Sequence, residues 1–502
     1  MSSIFLQIFY LYKLIDFCRV GIEHMSLFNS EFSGINFGDS RLGARFKRVI
    51  DAMMNSPLQS ISGACRGWAE TMGAYRLFNN DKVTSDKIME PHRRALVERA
   101  KLHSCIGLVQ DTTELDYSTQ ATMQGPGVLN SPNRRGYFLH CQYVVSLDRL
   151  PLGVWNSKLV VRDSLKKYDW KRSIEEKESY RWLEGYHHAC ALAKELPDQQ
   201  VFSISDREGD IYEVYEARQA LEKSGETGAH FLIRSNLDRL LLEAKGIDSQ
   251  PLLEVNKLFE TSRNGTALGC VQFCLSARKG FKKVKGTTRA FTRKARNVRQ
   301  QIKACELTLR PPKRYNRKAP TVRIWAVVAE EIDPPEGHEP INWILLTSFP
   351  ITCFADAEKI IQLYIARWDI EVFHRVLKTG CKIENIQFKT QKAFEPTLAC
   401  YMVIAWRILY LTHLGRQCPD LPCSVVFDEN EWRGGLAVAL KCGAPDELEE
   451  PTLGEMIKIV ATFGGYLGRK HDGPPGAQTM WIGLTRVRDF AIALEVYRLS
   501  RK

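Results

Sequence analysis

The sequence predicts an α/β fold: an α/β core with a β-rich insertion at about residues 238–340, between a helical N-terminal domain and a helical C-terminal domain. Three observations predict it. Short runs rich in Val, Tyr, Phe and Leu recur between residues 106 and 234, interrupted by one long charged segment of helical composition. The stretch that follows holds only brief apolar runs, at residues 271–275, 307–309 and 322–328. Towards both ends of the chain, apolar side chains recur every three or four residues instead, the period of an amphipathic helix.

At 502 residues the chain has room for about three domains. They are read as residues 25–84, 85–415 and 416–502. Residues 1–24 are a leader of different character, and Met25 is an alternative start. The leader's most apolar part, residues 4–12, is followed by Lys13 and Asp16 and lacks a small-residue cleavage site, which makes it a poor signal peptide. A net charge of +12 and a pI near 9.0 suit a polyanionic partner without establishing one. The 14 cysteines have no paired CxxC spacing and read as reduced thiols of a cytoplasmic protein. No segment approaches the roughly 20 apolar residues that span a bilayer, so no membrane partner is expected.

In chain order, Asp39 stands at an N-cap position. Leu42, Phe46, Val49, Ile50 and Met53 follow at helical spacing, with Arg41, Arg45, Lys47 and Arg48 crowding the other side. A second helix passes through Trp68, Met72, Tyr75 and Leu77 and ends near Asn79 to Asp81; a third covers residues 85–102. Residues 106–110 read as a buried strand with Asp111 at its end, and 137–146 and 152–161 as two more strands. A charged helix covers residues 171–196, a strand at 201–204 delivers Asp206, and 230–234 is a further strand. Strand, strand, strand, helix, strand, with acids after the first and last strands, is the ribonuclease-H-like arrangement. Within the insertion, residues 278–299 hold ten Lys or Arg and no acid in 22 positions, which suits either a solvated loop or a phosphate backbone. Residues 398–411 read as a buried helix, and after the break at Gly473-Pro474-Pro475-Gly476 a last helix carries Leu484, Val487, Ala491 and Leu494 as an apolar stripe.

Residues 364–378 contain no Gly or Pro and read as the middle of one α-helix. At about 100° per residue, Tyr364, Arg367, Glu371 and Lys378 fall within a sector roughly 60° wide, while Ile365, Ile370, Phe373, Val376 and Leu377 point away. By spacing alone, Arg367 with Glu371 and Glu371 with Arg375 are ordinary pairs of a solvated face. The four residues also fill a pattern: Tyr, two residues, Arg, three, Glu, six, Lys. In this the chain resembles the bacterial insertion-sequence transposases of the Tn-five-like group, insertion sequence family four, which are DDE enzymes. The resemblance extends to Gly107-Leu108-Val109-Gln110-Asp111-Thr112-Thr113, to Phe202-Ser203-Ile204-Ser205-Asp206 and to Gly38-Asp39-Ser40-Arg41-Leu42-Gly43-Ala44-Arg45.

The resemblance implies that Asp111, Asp206 and Glu371 are the catalytic carboxylates of a ribonuclease-H-like core, holding two Mg²⁺ ions that Mn²⁺ can replace. Asp116, Glu208 and Asp210 are rival acids nearby. The resemblance further implies that Arg367 and Lys378 neutralise phosphates, that Tyr364 orients one, and that Trp343 stacks on a flipped base. Arg234, His374 and Arg375 become DNA contacts near the break, and Arg41 and Arg45 contacts to the transposon end. The implied partners are double-stranded DNA, as transposon ends and as target, and a second copy of the chain in a synaptic complex. The implied setting is the bacterial cytoplasm, associated with the nucleoid. The last apolar stripe is then either internal packing or a subunit contact. The implied activity is cut-and-paste transposition, with cleavage through a DNA hairpin. An inactive DNA-binding regulator and a nuclease that does not join are the alternatives.

Overall fold

A computed structural model describes residues 31–500, apart from 57–58, 66, 121, 163–171, 253–255, 276–277, 285–286, 315–316 and 337–339; the expected leader lies outside the described residues. The chain divides into two compact units, one made of Met1–Lys167 with Trp368–Lys502 and the other of Tyr168–Arg367.

The first unit opens on helix α1, Ser40–Asn55, capped by Asp39, whose carboxylate accepts a hydrogen bond from the Arg41 amide. Phe46, Val49, Ile50 and Met53 are buried, with the Phe46 ring edge-on to Phe32 and Phe37, each 5.4 Å away. Helix α2, Trp68–Phe78, buries Leu77 and Phe78, while Trp68 at its first residue is 80% exposed. Helix α3, Ser85–Ala100, leads into strand β1, Cys105–Asp116. Then come β2, Gly127–Val128, β3, Arg135–Ser146, and β4, Pro151–Val160. Strand β3 is central: β1 pairs antiparallel with one edge, β4 and the short β2 with the other.

The second unit starts with α4, Tyr180–Glu195, nine residues later than expected. Strand β5, Gln200–Ser205, helix α5, Tyr212–Ser224, and strand β6, His230–Arg234, follow, with β5 and β6 parallel. The insertion is β-rich. It comprises β7, Leu241–Gly246, the short helix α6, Leu258–Arg263, β8, Thr266–Leu275, β9, Arg278–Val284, β10, Thr287–Arg293, and β11, Arg296–Leu309. It ends with the two-residue β12, Lys313–Arg314, and β13, Arg317–Lys318, and then β14, Val322–Glu331. Strand β15, Asn342–Thr347, joins β14 to β6; β14 pairs with β11, whose other edge takes β7 and β8. The basic run forms the β9–β10 hairpin and the start of β11. Its side chains at 278–293 lie outside the described residues. Arg296 is already committed, its guanidinium donating to both carboxylate oxygens of Glu331. Helix α7, Phe354–Ala366, closes this unit.

The stretch expected to be one helix is three pieces. Helix α7 ends at Ala366, Arg367 forms a turn, helix α8 spans Trp368–Arg375, and a π-helical turn covers Val376–Gly380. Residues 364–378 did not reveal this: no Gly or Pro stands at the Arg367 break, and the π turn ends at Gly380, just beyond the stretch read as one helix.

Back in the first unit, α9, Gln391–Gln417, extends the expected buried helix to 27 residues. It is long and apolar enough to cross a membrane, contrary to expectation, but 89% of its most apolar window is buried inside the protein. Helices α10, Glu429–Leu440, α11, Leu453–Phe463, and α12, Ala477–Ser500, complete the chain. Val487, Ala491 and Leu494 are buried within this helical group, so most of the apolar stripe is internal core. The helices approach closely: a Cβ on Gly483 of α12 would sit 1.8 Å from the Val460 carbonyl oxygen of α11.

Candidate active site

Strand β1 runs on to Asp116, so Asp111 lies in mid-strand, opposite Cys141, rather than at a strand end. Burial marks the position instead. Residues 105–110 are buried and 111–114 half-buried, so Asp111 is the first side chain to emerge from the core. Its Oδ1 accepts from the Thr112 amide at 2.7 Å. Glu371 comes from α8, whose Ile370 and Phe373 are buried; Phe373 stacks on Tyr143 of β3 at 4.8 Å. With that face fixed against the sheet, Asp111 and Glu371 line one cleft of about 370 Å³, together with Thr112, Thr113, His374, Arg375, Lys378 and Thr379. The π turn is what carries Lys378 and Thr379 to this wall. Lys378 is engaged there, its Nζ donating to the Glu114 carbonyl at 2.8 Å and pairing with Glu384 at 3.2 Å. The threonines were not singled out from sequence, because nothing but their position beside Asp111 distinguishes them.

His374 is buried in the same wall, and its Nε2 has no hydrogen-bond partner among the described residues. Burial, and then the charge of Lys378, push its pKa down to about 3. An unfolded chain protonates its histidines near about 6.5, so between those values the unfolded state binds the extra proton. Stability is therefore complete above about pH 6.5 and declines as pH falls towards the folded value, His374 alone accounting for about 2 kcal/mol at pH 5. His103, His230 and His413, each held at about 4 chiefly by burial, act in the same direction. The onset of thermal unfolding is expected to fall between pH 7 and pH 5, and His374→Gln to flatten that fall; an identical pH slope in the variant would refute the assignment.

The second unit assembles the other group. Asp206 caps a short 3-10 turn after β5, its Oδ1 accepting from the Glu208 amide at 2.8 Å. Tyr364 is buried, which raises its hydroxyl; Arg367 and Arg234 act to lower it and Asp206 to raise it. The phenol thus stays protonated at neutral pH amid two guanidiniums and a carboxylate. Trp343 is half-buried, its ring edge-on to Tyr364 at 5.5 Å and stacked on Phe273 at 6.2 Å. Phe273 was missed from sequence, because β8 meets Trp343 only through the folded insertion.

The rival acids are held in structural bonds. Asp116 accepts from Ser118 and from Arg134 Nε at 2.8 Å. Glu208 pairs with Arg181 at 3.0 Å. Asp210 is buried and takes bonds from Tyr215, the Asn236 and Leu237 amides and Arg239. Arg41 and Arg45 are exposed on α1, Arg41 paired with Asp39 at 2.9 Å and Arg45 lying over Gly73 of α2. Among the described residues no three His, Cys, Asp or Glu side chains gather closely enough to hold a metal by themselves.

Two family models match the chain. Residues 24–83 match the transposase DNA-binding family, and residues 403–502 the dimerisation domain of transposase Tn5. The chain belongs to the Tn5-like transposases. The matched N-terminal segment of this transposase contains α1, α2 and their exposed arginines, and the matched C-terminal segment contains α10, α11 and α12. The cleft bearing Asp111 and Glu371 lies between the two matched segments in sequence.

Proposed function

We propose that this transposase cuts and joins DNA with Asp111, Asp206 and Glu371 as its catalytic acids in a ribonuclease-H-like core. The observation that carries the proposal is the cleft shared by Asp111, Glu371, Arg375 and Lys378. Carboxylate oxygens on a half-buried wall suit Mg²⁺ or Mn²⁺, which commonly take one or two carboxylates and fill their remaining positions with water and phosphate oxygens. Such ions, when bound, lower the pKa of an attacking water and absorb charge on a departing 3′ oxygen. The chain's own cations, Arg375 and Lys378 in one unit and Arg234 and Arg367 in the other, are the phosphate contacts. Tyr364 donates its phenolic proton to a phosphate oxygen, and Trp343 offers an aromatic plane to an unpaired base. His374 faces the same cleft, and Arg41 and Arg45 contact the transposon end. Cleavage through a hairpin, synapsis of two ends by a homodimer and capture of target DNA complete the reading.

The test is incubation with linear DNA carrying the element's ends and Mg²⁺. Joined products are expected; nicks alone would indicate a nuclease, and a mobility shift without cleavage a regulator. The basic run at 278–299 is proposed to follow the DNA backbone. Neutralising three of its residues is expected to weaken binding to every sequence alike and to reduce the salt slope of log affinity by roughly 0.9 for each phosphate no longer neutralised. An unchanged slope would leave the run as a solvated hairpin.

A further inference from the structure

Helix α8 is only eight residues long, starting just after a turn at Arg367 and ending in a π turn, so neither end is stiffened by continuing α-helix. Two residues along such a helix differ by about 200° and four by about 40°. Asp369 and Phe373 therefore share one face, and Glu371 and Arg375 the opposite one. The first face is the anchored one. Phe373 stacks on Tyr143, and Asp369, 4% exposed, receives both forks of the Arg149 guanidinium, with Nε to Oδ2 at 3.0 Å.

Arg149 sits at the tip of the β3–β4 hairpin. Its amide donates to the Ser146 carbonyl at 3.0 Å, Ser146 receives the Leu150 amide on its hydroxyl at 3.0 Å, and Gln417 bonds the Asp148 carbonyl at 2.8 Å. The residue adopts φ of +63°, a left-handed conformation that side chains other than Gly or Asn seldom take. The backbone conformation that glycine would take at ease thus carries, at this tip, a side chain engaged with Asp369. The geometry points to the Arg149–Asp369 pair as a positioning clamp: bidentate pairing fixes both the distance and the rotation of α8, and so the direction in which Glu371 enters the cleft. Carboxylates that hold a metal depend on supports of this kind. The inference rests on the proposed catalytic role of Glu371.

Arg149→Gly removes the guanidinium without straining the backbone. Three quantities are measured on the full-length protein: the Mg²⁺ concentration for half-maximal nicking of end DNA, hydrogen exchange of the amides of residues 368–375, and the melting temperature. The expected result is a rise of about tenfold in the Mg²⁺ requirement and faster exchange centred on α8, with unchanged end binding and a lower melting temperature, because Asp369 stays buried after its guanidinium fork is removed. Arg149→Lys, which keeps the charge but loses the fork, is expected to fall in between; should the Gly variant be unfolded at the assay temperature, the Lys variant decides by the same readings. Glu371→Ala is the reference. If it is inactive and the Arg149 variants match the parent in Mg²⁺ requirement and exchange, the clamp is overturned. If Glu371→Ala still nicks, the catalytic assignment itself fails, and with it the purpose of the clamp.

Discussion

Asp111→Ala and Glu371→Ala are each expected to lower the nicking rate of end DNA by at least about 10³, equivalent to about 4 kcal/mol of transition-state stabilisation. Neither change should touch end binding by more than about twofold, because affinity for DNA rests on cations neutralising phosphates, and the exposed arginines of α1 are untouched. Asp116→Ala is the informative comparison. It stands five residues from Asp111 on the same strand but accepts from Ser118 and Arg134. Its loss breaks a partly exposed ion pair worth at most about 1 kcal/mol, and nicking should persist. Parallel nicking and mobility-shift assays on the three variants check this. Substantial cleavage by both Ala variants at 111 and 371 would remove the cleft from consideration, and loss of activity in Asp116→Ala alone would exchange the two acids.

The second large effect is expected at the C-terminal helices. The buried stripe of α12 is used up inside the chain, which moves attention to what remains exposed: Val438, 44% exposed on α10, and Tyr497, 38% exposed on α12, line one groove of about 440 Å³ with Phe490 and Leu494. The groove lies in the segment matched by the Tn5 dimerisation domain. Val438→Asp with Tyr497→Asp should leave circular dichroism and melting near those of the parent, because both residues already meet solvent. The complex holding two DNA ends should weaken by about a hundredfold or more, since a charge forced into an apolar contact costs several kcal/mol. Val487→Asp places the charge at a site only 1% exposed and should unfold the helical group outright. Gel mobility of one-end and paired-end complexes, read beside dichroism, separates the cases. Normal pairing by the double variant would mean that the subunits meet elsewhere.

Several features were legible because they depend on residues close together in the chain. The Asp39 cap fixes where α1 begins, and the spacing of Phe46, Val49, Ile50 and Met53 fixes which side it buries; both are as observed. The strands at β3, β4, β5 and β6 follow from runs of Val, Ile, Phe and Tyr whose side chains suit a pleated surface. The resemblance to the transposase family, and not spacing, named Asp111 and Glu371, and the two line one cleft.

The sequence by itself thus determined the α/β class, the helical ends, the basic charge and the short list of acids from which a site could be built. Tertiary structure decided the rest. It extended β1 past Asp111, because β3 offers a partner as far as Asp116 and a strand continues while its hydrogen bonds are met. Packing, with no Gly or Pro at the break, interrupted residues 364–378 at Arg367, and a π turn ending at Gly380 brings Lys378 to the cleft. It also engaged the rival acids, since a carboxylate's partners can be remote in sequence, such as Arg134 for Asp116 and Arg239 for Asp210. Finally it turned Val487, Ala491 and Leu494 inward. An apolar period of three and four residues requires that a helix face be covered, but the covering surface comes from α10 and α11, and only their folded positions determine which residues are left for a partner.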